Sequence, residues 1–298
     1  MAQERRLEGR VAIVTGSSRG IGRAIANLFA REGASVAVVA RSEADWSPLH
    51  PGTIHDVVEE IVSDGGRAVA IPADLSRLDD VERVYVSARS ALGPIDFLIN
   101  NAALTTPGRP DSRRPNQPHV NVAGLTTATQ PLPFIETPIK AFRLHFEIGV
   151  FASYRLTQLV LKDMIEAGRG GIVNIGSQAA FVPGEGPYAA TDTSGPIAYG
   201  ANKAALHHFT QSVAVEVHQH GIAVNALLPS MPILTPGNLV AVPSETNWAS
   251  PDDFAEATLR VALADPAVTS GCVLWHDDVL HPEPRKRGWL RPGAGSGS

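Results

Sequence analysis

The 298-residue chain is 44% apolar and 18% charged, with 27 glycines and 23 prolines, the balance of a loop-rich globular protein and not of a disordered one. A net charge of −5 with no basic block argues against a nucleic-acid partner, and one cysteine, Cys272, excludes an internal disulfide framework and fits a reducing cytoplasm. MAQERRLEGR runs straight into an apolar segment without a secretory core, and no apolar run approaches the ~18 residues of a membrane span. The expectation is a cytoplasmic protein with no membrane partner.

Val11–Thr15 is a short continuous apolar run ended by Gly16, which reads as a strand buried on both faces of a parallel sheet. Ile21, Ile25, Leu28 and Phe29 then recur at helical spacing, Gly33 punctuates, and SVAVVA (35–40) is a second strand. The alternation continues with a helix at 53–64, a strand at 68–74, a helix at 77–92 and a strand at 95–100. One long helix is expected over 138–167, then a strand at 171–177, a helix at 199–219 and a strand at 222–229. A helix at 251–264 and a strand at 271–276 complete the pattern. Seven strands alternating with helices predict an α/β fold, a Rossmann-type doubly wound parallel sheet in a single domain over 1–281. Two stretches break the rhythm, 104–137 and 181–197, and long loops in a compact domain are commonly functional lids. The tail, 282–298, reads as flexible.

Between the first strand and the first helix lies Thr15-Gly16-Ser17-Ser18-Arg19-Gly20-Ile21-Gly22. Such a turn presents backbone N–H groups and a positive helix end to a pyrophosphate, and its glycines let the ligand approach the backbone. NAD binders commonly end the second strand with an acid that bonds the ribose 2′-hydroxyl. Here that position is Ala40, followed by Arg41 and Ser42, with Arg19 in the first turn. Two guanidiniums and no carboxylate suit a 2′-phosphate, so NADP(H) is expected over NAD(H). Tyr199 stands four residues before Lys203, and with four tyrosines and four lysines in the chain chance supplies roughly 0.05 such pairs.

Together these motifs resemble the short-chain dehydrogenase/reductase family over residues 7 to 280. The matching segments are TGSSRGIG (15–22), ADL (73–75), NNAA (100–103), Ser177 in NIGS, YGANK (199–203) and VNALLPS…T (224–235). A fainter likeness to citronellol dehydrogenase-like and hydroxysteroid dehydrogenase-like members rests on HPGTIHDVVEEI (50–61) and on the spacing from Pro229 to Ile233 and Thr235. The resemblance implies that Gly16, Ser18, Arg19, Gly20, Ile21 and Gly22 cradle the pyrophosphate and that Arg41 and Ser42 meet the 2′-phosphate. It further implies that Asp74 and Leu75 flank the adenine, that Asn101, Ala102 and Ala103 pass beside the ribose, and that Pro229, Ile233 and Thr235 lie near the nicotinamide. Ser177, Tyr199 and Lys203 become the catalytic residues, with Tyr199 and Lys203 also touching the cofactor.

The chemistry explains the spacing. Hydride transfer at an alcohol carbon requires a proton moved at its oxygen, which Tyr199 would deliver in reduction and remove in oxidation. A free phenol has a pKa near 10, and a cation at i+4 on the same helix face favours the phenolate. Ser177 would hold the substrate oxygen against Tyr199. Two departures from the family pattern stand out. Gly149 occupies the place of the usual central-helix asparagine, whose family role is to support a water relay behind the lysine. The gap from Ser177 to Tyr199 is 22 residues where about a dozen is usual, and the extra segment with Tyr188 is expected near the substrate mouth.

His207/His208 and His218/His220 do not share a helix face pairwise and read as solvated surface, so no metal is expected. The expected activity is an NADP(H)-dependent oxidoreductase acting on a secondary alcohol or ketone of a moderately apolar small molecule, terpenoid, cyclic or steroid-like. A lyase or isomerase on the same fold, or a non-catalytic dinucleotide-binding protein, stays open. The resemblance also implies a homo-oligomer, dimer or tetramer, paired through 146–160 and 199–219. Phe151, Leu156, Leu159, Phe209 and Val213 suit either core or interface.

Overall fold

In the computed structural model, which describes residues 5–44, 51–104, 134–189, 197–241 and 247–282, continuous apolar runs become the strands of one sheet. These are β1 (Val11–Thr15), β2 (Ser35–Ala40), β3 (Arg67–Pro72), β4 (Phe97–Asn100), β5 (Gly170–Ile175), β6 (Ile222–Leu228) and β7 (Val273–Trp275). Every residue of β1, β4 and β6 is buried, because helices cover both faces. The order is β3-β2-β1-β4-β5-β6-β7, with all neighbours parallel. The direction of winding reverses between β1 and β4, and the crevice beyond the carboxyl ends of those strands is where such sheets bind ligands.

One face is packed by α1 (Gly20–Arg31), α2 (Ile54–Ser63) and α8 (Pro251–Ala262), with Ile25, Phe29, Ile61 and Phe254 against Val14, Val38 and Ile99. The other is packed by α3 (Leu78–Leu92), α5 (Ala152–Ala167) and α6 (Ile197–Val217), with Val84, Leu156, Met164 and Val217 against Ile13, Leu98 and Val224. Short helices α4 (Ile139–Phe146), α7 (Pro236–Ala241) and α9 (His276–Leu280) lie at or near the carboxyl ends of the strands.

The helix expected over 138–167 is interrupted. A π-helical turn, Glu147–Phe151, separates α4 from α5, with the Ala152 N–H reaching back five residues to the Glu147 carbonyl. The Ser153 hydroxyl donates to the Gly149 carbonyl at 2.9 Å and steadies the widened turn. The strand expected over 171–177 ends at Ile175, which leaves Gly176 and Ser177 beyond the sheet. α7 and α9 were absent from the apolar pattern because five- and six-residue helices carry little periodicity. Leu156 and Leu159, offered to core or interface alike, belong to the core; Phe151 is 59% exposed. Residues 105–133 and 283–298 hold most of the first expected insertion and of the tail, and those expectations lie outside the described residues, as does the 190–196 part of the second; its described part includes Tyr188, which is exposed and donates to the Gly184 carbonyl at 3.0 Å.

Candidate functional site

The glycine-rich turn is built from the end of β1 and braced from β4. Thr15 Oγ1 accepts from the backbone N–H groups of Asn101 and Ala102 at 3.0 and 3.1 Å, while the Asn101 amide donates to the Thr15 and Gly16 carbonyls at 2.9 and 3.1 Å. Gly16 has φ +66°, and a Cβ there would meet Ala102 Cα at 2.9 Å. Gly20 has φ +56°, and its Cβ would lie 3.3 Å from the Thr235 side chain. The segment expected near the nicotinamide thus closes on the turn expected at the pyrophosphate. α1 has no carboxylate in its first turn and no side-chain cap, so no side chain of the helix competes with an anion for its positive end. These residues fit a dinucleotide pyrophosphate.

At the end of β2 the Arg19 guanidinium donates to Ser42 Oγ at 2.6 Å, and Arg41 projects to the exterior. Nearby Arg23 is already paired with Glu60, Nε to Oε2 at 3.1 Å. Beyond β3, Asp74 accepts from the Ser76 N–H and hydroxyl at 3.1 and 2.8 Å, and Leu75 is buried. Two expected cofactor residues turn their side chains elsewhere. The Asn101 amide is consumed by the turn, and Ile233 packs into the core beside a bridge to Ala249, which leaves the backbone of each as the part a ligand could meet. Ser18 is buried at the turn, while Ala102, Ala103 and Pro229 line strand ends.

Ser177, Tyr199 and Lys203 converge beyond β5. Ser177 caps the short 3₁₀ turn Gln178–Phe181, accepting from the Ala179 N–H at 3.2 Å, and its hydroxyl hydrogen-bonds the Tyr199 phenol. Lys203, 2% exposed, donates to the Ile175 carbonyl at 2.6 Å, and its Nζ stands 5.5 Å from the Tyr199 ring centroid. The electrostatics differ from the expectation of a depressed phenol. Burial pushes the Tyr199 pKa up, with Ser177 opposing, and the Lys203 ammonium donates to the strand carbonyl. Burial also lowers Lys203 to about 8.

Three neighbours escaped sequence reasoning. His207, expected on the solvated surface, is 6% exposed, tilted against Phe181 at 5.4 Å and packed beside Gly176. Burial and the Lys203 charge hold it at about 4, and its Nε2 has no hydrogen-bond partner among the described residues. Its position eight residues after Tyr199 on one helix face was the available signal. His145 packs edge-on to Tyr199 at 6.1 Å, and Asn202 donates to the His145 carbonyl. His208, His218 and His220 are exposed as expected, and no cluster among the described residues could hold a metal. No helix among them is long and apolar enough to cross a membrane.

The family model for short chain dehydrogenases matches residues 10–117 and 119–238. A short chain dehydrogenase of Pseudocercospora fijiensis is 32% identical over 228 residues, 75% of this chain; the match spans 60% of that protein's length. The 7alpha-hydroxysteroid dehydrogenase of Escherichia coli K12 is 29% identical over 280 residues, 90% of this chain and 93% of the relative. A solved 7alpha-hydroxysteroid dehydrogenase with NADH and 7-oxo glycochenodeoxycholic acid matches with a TM-score of 0.70 at 29% identity, over 91% of this chain and 94% of that one. A structure described as an NAD(P)-dependent gluconate 5-dehydrogenase of Beutenbergia cavernae, with bound NADP, matches with a TM-score of 0.68 at 27% identity, over 93% and 99%.

Proposed function

This chain belongs to the short chain dehydrogenase family of NAD(P)-linked oxidoreductases acting on CH–OH groups, and from that premise we propose that it interconverts a secondary alcohol and a ketone with NADP(H). The observation that carries the reading is the convergence of Ser177, Tyr199 and Lys203 beyond β5, on a fold whose glycine turn is closed by Thr235.

Ser177 orients the substrate oxygen, and Tyr199 gives it a proton in reduction or takes one in oxidation. A phenol held protonated by burial is ready to act as the acid. Lys203 holds a proton at Nζ beside the phenol ring and offers it to the Ile175 carbonyl and to ribose hydroxyls. The turn from Gly16 to Gly22 holds the pyrophosphate, with Asp74, Leu75, Asn101, Ala102, Ala103, Pro229, Ile233 and Thr235 around the rest of the dinucleotide. When bound, the nicotinamide supplies or takes up the hydride.

Preference for NADP(H) is supported by Arg19 on Ser42, by Arg41, and by Ala40 in place of an acid. Exposed Phe181, Tyr188, Leu234 and Leu239, in the segments following β5 and β6, favour a moderately apolar, terpenoid, cyclic or steroid-like substrate. A reducing cytoplasm suits the lone thiol, and a homo-oligomer suits the exposed aromatic residues of α5 and the turn before it. The test is NADPH consumption at 340 nm against a panel of cyclic, terpenoid and steroid ketones beside sugars. Turnover of apolar ketones that Tyr199→Phe removes is expected; tight NADPH binding with no carbonyl reduced by any panel member would contradict the reading.

A further inference from the structure

Gly149 and Asn202 share one space from two different helices. Gly149 lies in the π-turn before α5, and the three atoms nearest to a Cβ built on it all belong to the Asn202 side chain, which would be overlapped. Glycine in a helix interior costs about 1 kcal/mol relative to alanine, and this contact is a reason to bear that cost. Asn202 is 3% exposed, and its amide crosses from α6 to the His145 carbonyl of α4. A π-turn displaces carbonyls from ordinary i−4 pairing, and a buried carbonyl needs a donor.

The bond lies at the level of the chemistry. His145 also presents its ring edge-on to Tyr199, and Asn202 immediately precedes Lys203. From this geometry we infer that Asn202 is a positioning residue. Its carboxamide, admitted by the missing Cβ of Gly149, locks α4 to α6 and sets how Tyr199 and Lys203 meet the substrate. The inference rests on the roles given to Tyr199 and Lys203 above. It recasts the departure at Gly149: an asparagine amide enters that space from α6 and not from the central helix. Asparagine at 149 is then incompatible with Asn202, although it matches the family pattern.

A four-protein cycle tests this: wild type, Gly149→Asn, Asn202→Ser and the double variant. Each is measured for single-turnover hydride transfer, NADPH dissociation constant and unfolding midpoint without cofactor. Asn202→Ser is expected to slow transfer about tenfold while the NADPH constant stays within about twofold, the split of a residue that positions the reacting groups. Gly149→Asn is expected to lower the midpoint and slow transfer by more than about tenfold. If it does not fold, Gly149→Ala takes its place, alone and combined with Asn202→Ser, and that double variant is expected to regain the midpoint and to transfer no more slowly than Asn202→Ser alone. The double variant should return to within about threefold of wild type, because removing one carboxamide makes room for the other. Multiplying losses in the double variant, or wild-type transfer by Asn202→Ser, would overturn the inference. A wild-type chain that binds NADPH and transfers no hydride overturns the functional reading instead, and the cofactor-free midpoints then decide the exchange of space separately.

Discussion

Lys203 Nζ donates to the carbonyl of Ile175 at 2.6 Å, tying the second turn of α6 to the last residue of β5. Ser177 follows two residues later, so one bond sets the strand end and the helix at a common height. Ser177 and Tyr199 meet because of it, although 22 positions separate them in the chain.

Tyr199→Phe should therefore abolish hydride transfer and leave NADPH affinity nearly intact. Phenylalanine keeps the ring against His145 and removes only the proton carrier. Groups of this kind contribute about 10²–10⁴-fold in rate. Lys203→Ala should damage both rate and affinity, because the ammonium that anchors β5 is also the group we assign to the ribose. Single-turnover transfer beside NADPH titration measures both, and near-wild-type transfer by Tyr199→Phe would move the proton to another group.

NADPH should bind at least about tenfold more tightly than NADH, the effect of about 1.5–3 kcal/mol from a charged bidentate contact. The prediction rests on Arg19, held on Ser42, on the exposed Arg41 next in sequence, and on Ala40 where an acid would bind the 2′-hydroxyl. Arg41→Asp should shift preference towards NADH. Equal dissociation constants for the two cofactors in the wild-type chain would refute the assignment.

Light scattering should find a dimer or tetramer at micromolar concentration. Phe151 and Tyr154 are half or more exposed, Tyr154 lies tilted at 5.5 Å against Phe209 of α6, and their three-residue spacing places them on one side of the π-turn and α5. Tyr154→Glu should push the population towards monomer, since a charge buried in an apolar interface is costly. A monomeric wild-type chain across that range would contradict this.

The parts legible in sequence were those encoded locally. Val11–Thr15 and Ile222–Leu228 are mostly apolar runs with no polar alternation, the pattern of a strand covered on both faces, and the Gly16 turn sits where the first of them ends. Tyr199 and Lys203 are rare residues at a one-turn spacing. Long-range pairing was not legible. Nothing near Asn202 announces a partner 57 positions away, and a shift from i−4 to i−5 bonding leaves no mark on apolar periodicity. His207 reads as surface until Phe181 and Gly176 are brought against it by the turn after β5. Gly149 was visible as a departure, but its meaning lay in the helix it faces.

Acid sensitivity follows from that buried histidine. Folding holds His207 at about 4, whereas an unfolded chain protonates near its ordinary 6.5. Between those values the unfolded state binds the extra proton, so unfolding free energy rises with pH from about 4 to 6.5, and the stability is lost as pH falls through that window. Above 6.5 the ring is neutral in both states and contributes no slope. Its full effect is on the order of 3 kcal/mol. Lys203 acts in a separate range: its lowered value makes stability rise again between about 8 and 10.5. Urea unfolding of wild type and His207→Leu at pH 7, 6, 5 and 4.5 isolates the histidine, because the acidic residues titrate alike in both proteins. The variant should be flatter across this range, with the curves diverging most at the acid end. Parallel curves would show that His207 accepts its proton in the folded chain, and that its pocket opens to solvent far more readily than its packing against Phe181 implies.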